Sequence, residues 1–283
     1  MQDGVMEIDV TQLRELCAEL ATRAGQLVVR QREALVDRGE LAAAETKSSQ
    51  VDPVTVADKA SEEFIVRELA MRRPGDGILG EEGARTESAT GVEWVIDPID
   101  GTVNFLYGLP QFAVSVGVAV RGELVAGAVC NPVSGELFTA ASGHGASLDR
   151  GGQTTPLRAS EATDLRSALV ATGFAYVSSR RARQAEIVTG VLPEVRDIRR
   201  MGSAALDLCA VAAGRVDAYY EHGIHPWDYA AGAIIAREAG AVVRHPGLSA
   251  SGDDGGLTIA AAPGVWADFE ALVTRAGGVP PLR

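Results

Sequence analysis

The sequence predicts a mixed α/β fold of the α+β type, built from layered sheets and helices. Three observations carry that prediction. Apolar residues recur with helical period near the N-terminus, apolar runs bounded by turn residues fill the middle, and short strands alternate with helical stretches after about residue 160.

The elements follow in order. Leu13, Leu16, Cys17, Leu20, Ala24, Leu27 and Val28 mark a first amphipathic helix of about 25 residues, with Asp9 and Gln12 as its capping pair. The stretch "ALVDRGELAAAETKSSQVDP" reads as a polar connection. A second helix is expected after Thr55, with Ala57, Ala60, Phe64 and Ile65 inward, ended by "RRPGDG". Then come the strands "EWVID", "FAVSVGVAV", "LVAGAVCNP" and "ELFTAA". Turn residues at Arg121-Gly122 and Ser134-Gly135 join the last three into an antiparallel meander. Beyond Gly151-Gly152 the expected order is strand "ALVATGF", helix Arg180 to Leu192, strand "VRDIRRMG", then a helix from Ser203 to Ala213 closed by Gly214. Strand "DAYYE", a helix opening at Pro226, strands "AVV" and "LTIAA", and a last helix from about Val265 complete the chain. A soft boundary divides an N-terminal half, 1–160, from a C-terminal half, 161–283, within one catalytic unit.

Composition narrows the function classes. The chain is 46% hydrophobic and 23% charged, as a globular protein is, and its net charge is −12. That charge argues against nucleic acid or an anionic membrane as a partner. It leaves an anionic substrate open, because bound cations invert a local field. The longest apolar run is too short to span a bilayer, and the acidic start "MQDGVMEIDV" shows no signal peptide, so the expected setting is cytoplasmic. Cys17, Cys130 and Cys209 sit among apolar residues without metal-type spacing and are expected as buried free thiols.

The chemistry concentrates in "WVIDPIDGTVNF", residues 94–105. A buried strand ends in two aspartates three residues apart. Pro98 fixes its own φ, lacks a donor and keeps Asp97 out of the helical region, so Asp97, Asp100 and the Ile99 carbonyl can converge. Such oxygen ligands suit a hard cation such as Mg²⁺. Gly101 and Thr102 offer backbone amides to an anion, and Thr102 a hydroxyl to a water. In "ILGEEG" Glu81 or Glu82 is a further candidate ligand. Asp228 in "HPWDYAAG" and Asp58 could equally serve helix first turns. Carboxylates gathered without cations would raise one another's pKa values, and two or three divalent ions remove that conflict. The residues alone point to a Mg²⁺-type site acting on a phosphate ester.

At these residues the sequence resembles the inositol monophosphatase family. The resemblance runs through "VDPVTVAD" (51–58), "ILGEEG" (78–83), "WVIDPIDGTVNF" (94–105), "GSAALDLCAVAAGRVDAYYE" (202–221) and "WDYAAG" (227–232), nearly the whole chain. It implies a layered αβαβα sandwich and a Mg²⁺-dependent, lithium-sensitive phosphatase, usually a homodimer, that hydrolyses myo-inositol monophosphate by attack of a metal-activated water. Carried over, Glu81, Asp97 and the Ile99 carbonyl would hold a first ion. Asp97, Asp100 and Asp228 would hold a second, and Glu81 would reach a weaker third. Thr102, supported by Asp58, would orient the water, and the Gly101 and Thr102 amides would hold phosphate. Gly202, Ser203, Ala204 and Glu221 would line the substrate pocket, with Glu221 accepting from ring hydroxyls. The resemblance also implies that Lys47 falls in the loop that the family places near the metals. The same chemistry on histidinol phosphate, fructose 1,6-bisphosphate or a nucleotide phosphate is the alternative within the family. A regulatory protein binding a macromolecular partner is the alternative of another class.

Other residues are read as structural. His222 and His225 are expected at the pocket edge or in packing, because an oxygen-rich acidic site suits Mg²⁺ better than an imidazole-bound ion. The tryptophans are expected as packing anchors, and "SSRRARQ" as a solvated helix start.

Overall fold

The computed structural model describes residues 8–39 and 53–282. Lys47 and most of the expected polar connection lie outside the described residues. Helix α1 (Val10–Asp37) is capped by Asp9, whose Oδ1 accepts from the Thr11 and Gln12 amides at 2.9 and 3.2 Å. Helix α2 (Pro53–Arg72) packs beside it.

An eight-stranded sheet follows, formed by β1 (Gly77–Gly80), β2 (Arg85–Thr86), β3 (Val92–Asp100), β4 (Ala113–Val120), β5 (Glu123–Asn131), β6 (Glu136–Ala141), β7 (Ala146–Arg150) and β8 (Gln153–Pro156). Strands β3 to β8 run as an antiparallel meander, while β1 pairs parallel with β3. The short helix α3 (Thr102–Tyr107) leaves the end of β3. The second sheet has five strands in the order β10-β9-β11-β13-β12: β9 (Leu169–Thr172), β10 (Asp197–Arg199), β11 (Ala218–His222), β12 (Val242–Arg244) and β13 (Leu257–Ala261). Its helices are α4 (Ser178–Val191), α5 (Ala204–Ala212), α6 (Pro226–Glu238) and α7 (Trp266–Arg275).

Three apolar cores stack these elements into five layers, αβαβα. Helices α1 and α2 cover one face of the first sheet through Leu16, Leu20, Ile65, Trp94, Val116 and their neighbours. Helices α5 and α6 fill the space between the sheets, where Ala230 and Ala231 pack directly on Gly117 and Gly127. Helices α4 and α7 cover the outer face of the second sheet through Ile187, Tyr220, Phe269 and Leu272. Among the described residues, no helix is long and apolar enough to cross a membrane. The three cysteines are buried and free, and burial pushes the Cys130 thiol up to about 12.

The structure corrects the sequence reading in places. Helix α2 starts at Pro53 rather than after Thr55, which the fixed φ of a first-turn proline favours. Its inward face is rotated: Ala57, Asp58, Ser61, Glu62, Ile65 and Leu69 are buried, whereas Ala60 and Phe64 are half-buried. Of the three buried polar residues, Ser61 and Glu62 point inward because their partners are backbone groups of the acidic loops. Strands β1, β2, β7 and β8 were not expected; three of the four have four residues or fewer, and β2 and β8 are wholly exposed, so no apolar alternation marks them. In "SSRRARQ", Arg180 and Gln184 are buried, Arg180 donating to the Gly252 and Asp253 carbonyls.

Candidate active site

A β-bulge creates the geometry at the end of β3. Asp97 pairs with Ser115 and Asp100 with Ala113, so three steps on β3 oppose two on β4. In a regular strand, residues three apart point to opposite faces. The extra residue cancels that alternation. Accordingly Ile99 is buried in the core under α1 and α2, while Val95 belongs to the middle core, on the side where Asp97 meets Asp228 of α6. Pro98 lacks a backbone donor and suits the interrupted ladder. The Ile99 amide donates to Asp97 Oδ1 at 3.0 Å, fixing the aspartate over the turn.

Two helix N-termini hold the other aspartates. Asp100 Oδ2 accepts from Ser203 Oγ at 2.5 Å and from the Ala205 amide at 2.7 Å. Ser203 is the N-cap of α5, its hydroxyl also accepting from the Leu206 amide at 3.2 Å. Asp228, in the first turn of α6, accepts from the His225 amide at 2.5 Å. One oxygen each of Asp97, Asp100 and Asp228 then lies within 4.8 Å of the others. Glu81 enters from the end of β1, where its amide donates to the Ile96 carbonyl at 3.2 Å, and its carboxyl meets that of Asp97.

The electrostatics follow from burial and crowding. Burial raises Asp97 well above the ordinary carboxylate range, and the neighbouring Glu81, Asp100 and Asp228 add to it. Asp228 is raised likewise, by burial first and Asp100 second. Glu81 is exposed as a residue, but the loss of water around its carboxyl beside Asp97 lifts it to about 7. Burial lifts Asp100 only to about 6, because the Ser203 hydroxyl and α5 amides stabilise its charged form. Among the described residues no lysine or arginine side chain hydrogen-bonds Asp97, Asp100 or Asp228. A largely buried, mutually repelling, all-oxygen donor set to which no lysine or arginine bonds among the described residues fits a divalent hard cation.

Beside the cluster, Gly101 has φ +91°, and a Cβ there would lie 2.8 Å from the Gln111 carbonyl, so the bend into α3 requires glycine. Thr102 Oγ1 donates to the Ile99 carbonyl at 3.2 Å. Asp58 is buried on α2. A cleft of about 300 Å³ is lined by Glu81, Asp100 and Gly101 together with Gly202, Ala204 and Glu221 of β11. Ser203 is buried and faces Asp100, whereas Gly202 and Ala204 line the cleft wall. Tyr219 Oη donates to Glu221 Oε2 at 2.9 Å, and burial raises Glu221 to about 7.

Sequence reasoning missed several contributors. Gly173 presses on the Glu221 carboxylate: a Cβ there would lie 2.0 Å from Oε2. Arg200 and Tyr176 line the cleft. Adjacency in three dimensions identifies these residues, and no local motif announces them. His225, expected at the pocket edge or in packing, does line the cleft, stacked on Trp227 with ring centroids 4.5 Å apart. His222 is buried, its Nε2 2.6 Å from the Gly278 carbonyl.

Known proteins resemble this chain over nearly its whole length. The model of the inositol monophosphatase family matches residues 9–275. A Mycobacterium leprae protein named inositol-1-monophosphatase is 49% identical over 288 residues, covering 98% of this chain and 99% of that protein. An Escherichia coli K12 protein named Nus factor SuhB is 41% identical over 230 residues, 81% of this chain and 83% of that protein. The solved structure of Mycobacterium tuberculosis SuhB superposes with a TM-score of 0.84 at 44% identity, covering 96% of this chain and all of that one. With the family model matched over nearly all of its length and full-length relatives at this identity, the chain belongs to the inositol monophosphatase family.

Proposed function

We propose that the chain is a Mg²⁺-dependent phosphomonoesterase that hydrolyses myo-inositol monophosphate to inositol and phosphate. One observation carries the reading: three carboxylates, Asp97 and Asp100 buried and Asp228 half-buried, converge within 4.8 Å beside the Gly101–Thr102 bend, on a cleft that also holds Glu221. Glu81, Asp97 and the Ile99 carbonyl would hold one Mg²⁺, and Asp97, Asp100 and Asp228 a second, with a weaker third near Glu81. When bound, Mg²⁺ neutralises phosphate charge and acidifies water at neutral pH.

The chain's own groups do the rest. The Gly101 and Thr102 amides receive phosphate oxygens. Thr102 Oγ1 spends its proton on the Ile99 carbonyl, so its lone pairs are left to accept from a water and turn it toward phosphorus. Asp58 backs this position from α2. Glu221 accepts from the hydroxyls of a polyol, while Gly202 and Ala204 leave space for the ring. Ser203 acts on the site through Asp100. Ligands come from both halves of the chain, 1–160 and 161–283, which therefore work as one catalytic unit. Lithium inhibition, a homodimer and a cytoplasmic setting extend the same reading.

A phosphate-release panel with and without Mg²⁺ tests it, using myo-inositol monophosphate, histidinol phosphate, fructose 1,6-bisphosphate and a nucleotide phosphate. The expected preference for the inositol ester is at least about 100-fold in kcat/KM, some 2.7 kcal/mol of differential transition-state binding. Equal values across the panel would overturn the substrate, and release independent of Mg²⁺ would overturn the chemistry.

A second reading, a regulatory protein with a macromolecular partner, draws on the relative named Nus factor SuhB. The net charge of −12 favours a protein over a nucleic acid as that partner. If Asp97→Asn, dead in phosphate release, still restored the wild-type phenotype to cells lacking the gene, this reading would be favoured.

A further inference from the structure

Glu62 is a buried carboxylate that the mechanism above does not use. It lies one helical turn after Asp58 on α2 and is 5% exposed. Both its oxygens are committed to the turn that follows β1. Oε2 accepts from the Glu82 amide at 2.9 Å and Oε1 from the Ala84 amide at 3.0 Å. These two donors bracket the turn that begins at Glu81. The fit is close: a Cβ on Gly80 would lie 2.2 Å from Glu62 Oε2, so glycine precedes Glu81 where the carboxylate presses on the backbone. The neighbouring Ser61 Oγ donates to the Pro98 carbonyl at 3.3 Å, tying the same helix to the Asp97–Asp100 bulge.

Glu81 differs from the other candidate ligands in its support. Asp97, Asp100 and Asp228 each accept a hydrogen bond from a backbone amide. For Glu81 the amide contacts go instead to its neighbours, through Glu62. Loops carry large conformational freedom, and a ligand on a loose turn binds at an entropic cost. We propose that Glu62 is a positioning residue. Its carboxylate clamps the 81–84 turn and so sets the affinity of the Glu81-bearing site for a divalent cation. The proposal rests on the Mg²⁺ reading above. Residues that orient metal ligands typically change affinity or activity by about 10- to 100-fold when altered.

The test uses the full chain and Mg²⁺ as the probe. Metal affinity is read without substrate from the rise of Tm with Mg²⁺ concentration, and separately from the Mg²⁺ dependence of phosphate release. Glu62→Gln is near-isosteric but presents an NH₂ group to one of the two backbone donors. We expect it to need about 10-fold or more Mg²⁺ for half-maximal effect in both assays, with kcat at saturating Mg²⁺ within about threefold of the unaltered protein. Gly80→Ala, which displaces the carboxylate, is expected to shift the same way and serves alone if Glu62→Gln does not fold. In a Glu62→Ala background, Gly80→Ala should add much less, because the carboxylate it would strike is gone and only the milder approach to Ala84 Cβ at 3.2 Å remains. A Mg²⁺ requirement within twofold of the unaltered protein, or a fall in kcat with that requirement unchanged, overturns the clamp. If the unaltered protein itself shows no Mg²⁺-dependent Tm shift, the metal reading fails first.

Discussion

Replacing Gly173 by alanine tests whether Glu221 recognises the alcohol part of the substrate. Gly173 follows β9, next to β11, and the methyl group of Gly173→Ala would meet Glu221 Oε2 at 2.0 Å and Cδ at 2.2 Å. No real contact is that short, so the carboxylate must turn away from the cleft and from the Tyr219 hydroxyl. Overpacking of this kind costs about 1–3 kcal/mol of stability. A hydrogen bond from a substrate hydroxyl to a charged carboxylate contributes about 1.5–3 kcal/mol, and its loss lowers kcat/KM by about 10- to 150-fold. The contrast lies between substrates: p-nitrophenyl phosphate has no ring hydroxyls for Glu221 and should be hydrolysed nearly as before. Steady-state kinetics of Gly173→Ala and Glu221→Gln on both esters give the answer, with Tm monitored in parallel. Equal losses on both esters, or none on the inositol ester, would refute the assignment of Glu221.

Asp97→Asn should abolish Mg²⁺-dependent phosphate release while leaving the metal-free Tm equal to or above that of the unaltered protein, because it removes one member of a repelling buried cluster; a metal-free Tm well below it would mean that Asp97 is structural. Ser203→Ala removes both an N-cap and a donor to Asp100, and should cost about 0.5–2 kcal/mol in a denaturant titration and raise the Mg²⁺ requirement. The metal-free protein should gain stability as the pH falls from 8 toward 6. Its raised carboxyls, Glu81 at about 7 and Asp100 at about 6 among them, bind protons in the folded state before the unfolded chain does. Conversely, saturating Mg²⁺ should stabilise more at pH 8 than at pH 6, since binding must displace those protons; a Mg²⁺-induced Tm shift that grew on acidification would contradict the site as drawn.

The sequence made the fold legible where side-chain period is strong. The meander of β4, β5 and β6 and the helices α5 and α6 appear within a residue or two of their expected ends, because long apolar runs between turn residues leave little choice. The "IDPIDGT" turn was legible as convergent oxygens, but not as a bulge, since register is a property of two strands. Polar groups that bury themselves by bonding backbone escaped the reading altogether. Ser61 and Glu62 are buried on α2, where hydrophobicity alone puts Ala57, Ala60, Phe64 and Ile65 inward. Gly173 carries no signal of its own, and its meaning appears only when β9 and β11 lie side by side.

These polar groups explain how the cluster survives folding before any cation arrives. Like charges this close would drive the strand ends apart if each carboxylate depended on solvent. Instead the fold gives each one a fixed dipole. The Ile99 amide serves Asp97, the N-terminus of α5 serves Asp100, and the first turn of α6 serves Asp228. The Glu62 clamp holds the turn of Glu81. The compensation is partial: Asp100, which has the most donors, rises only to about 6, while Asp97, with one, rises well above its usual range. The remaining strain has a direction. Neutralisation of the cluster by a cation would relieve it, and so would protonation, so on the proposed reading protons and Mg²⁺ would compete for the same oxygens. With the carboxylates held by backbone dipoles in this way, the free energy of cation binding would go into charge neutralisation rather than into ordering the chain.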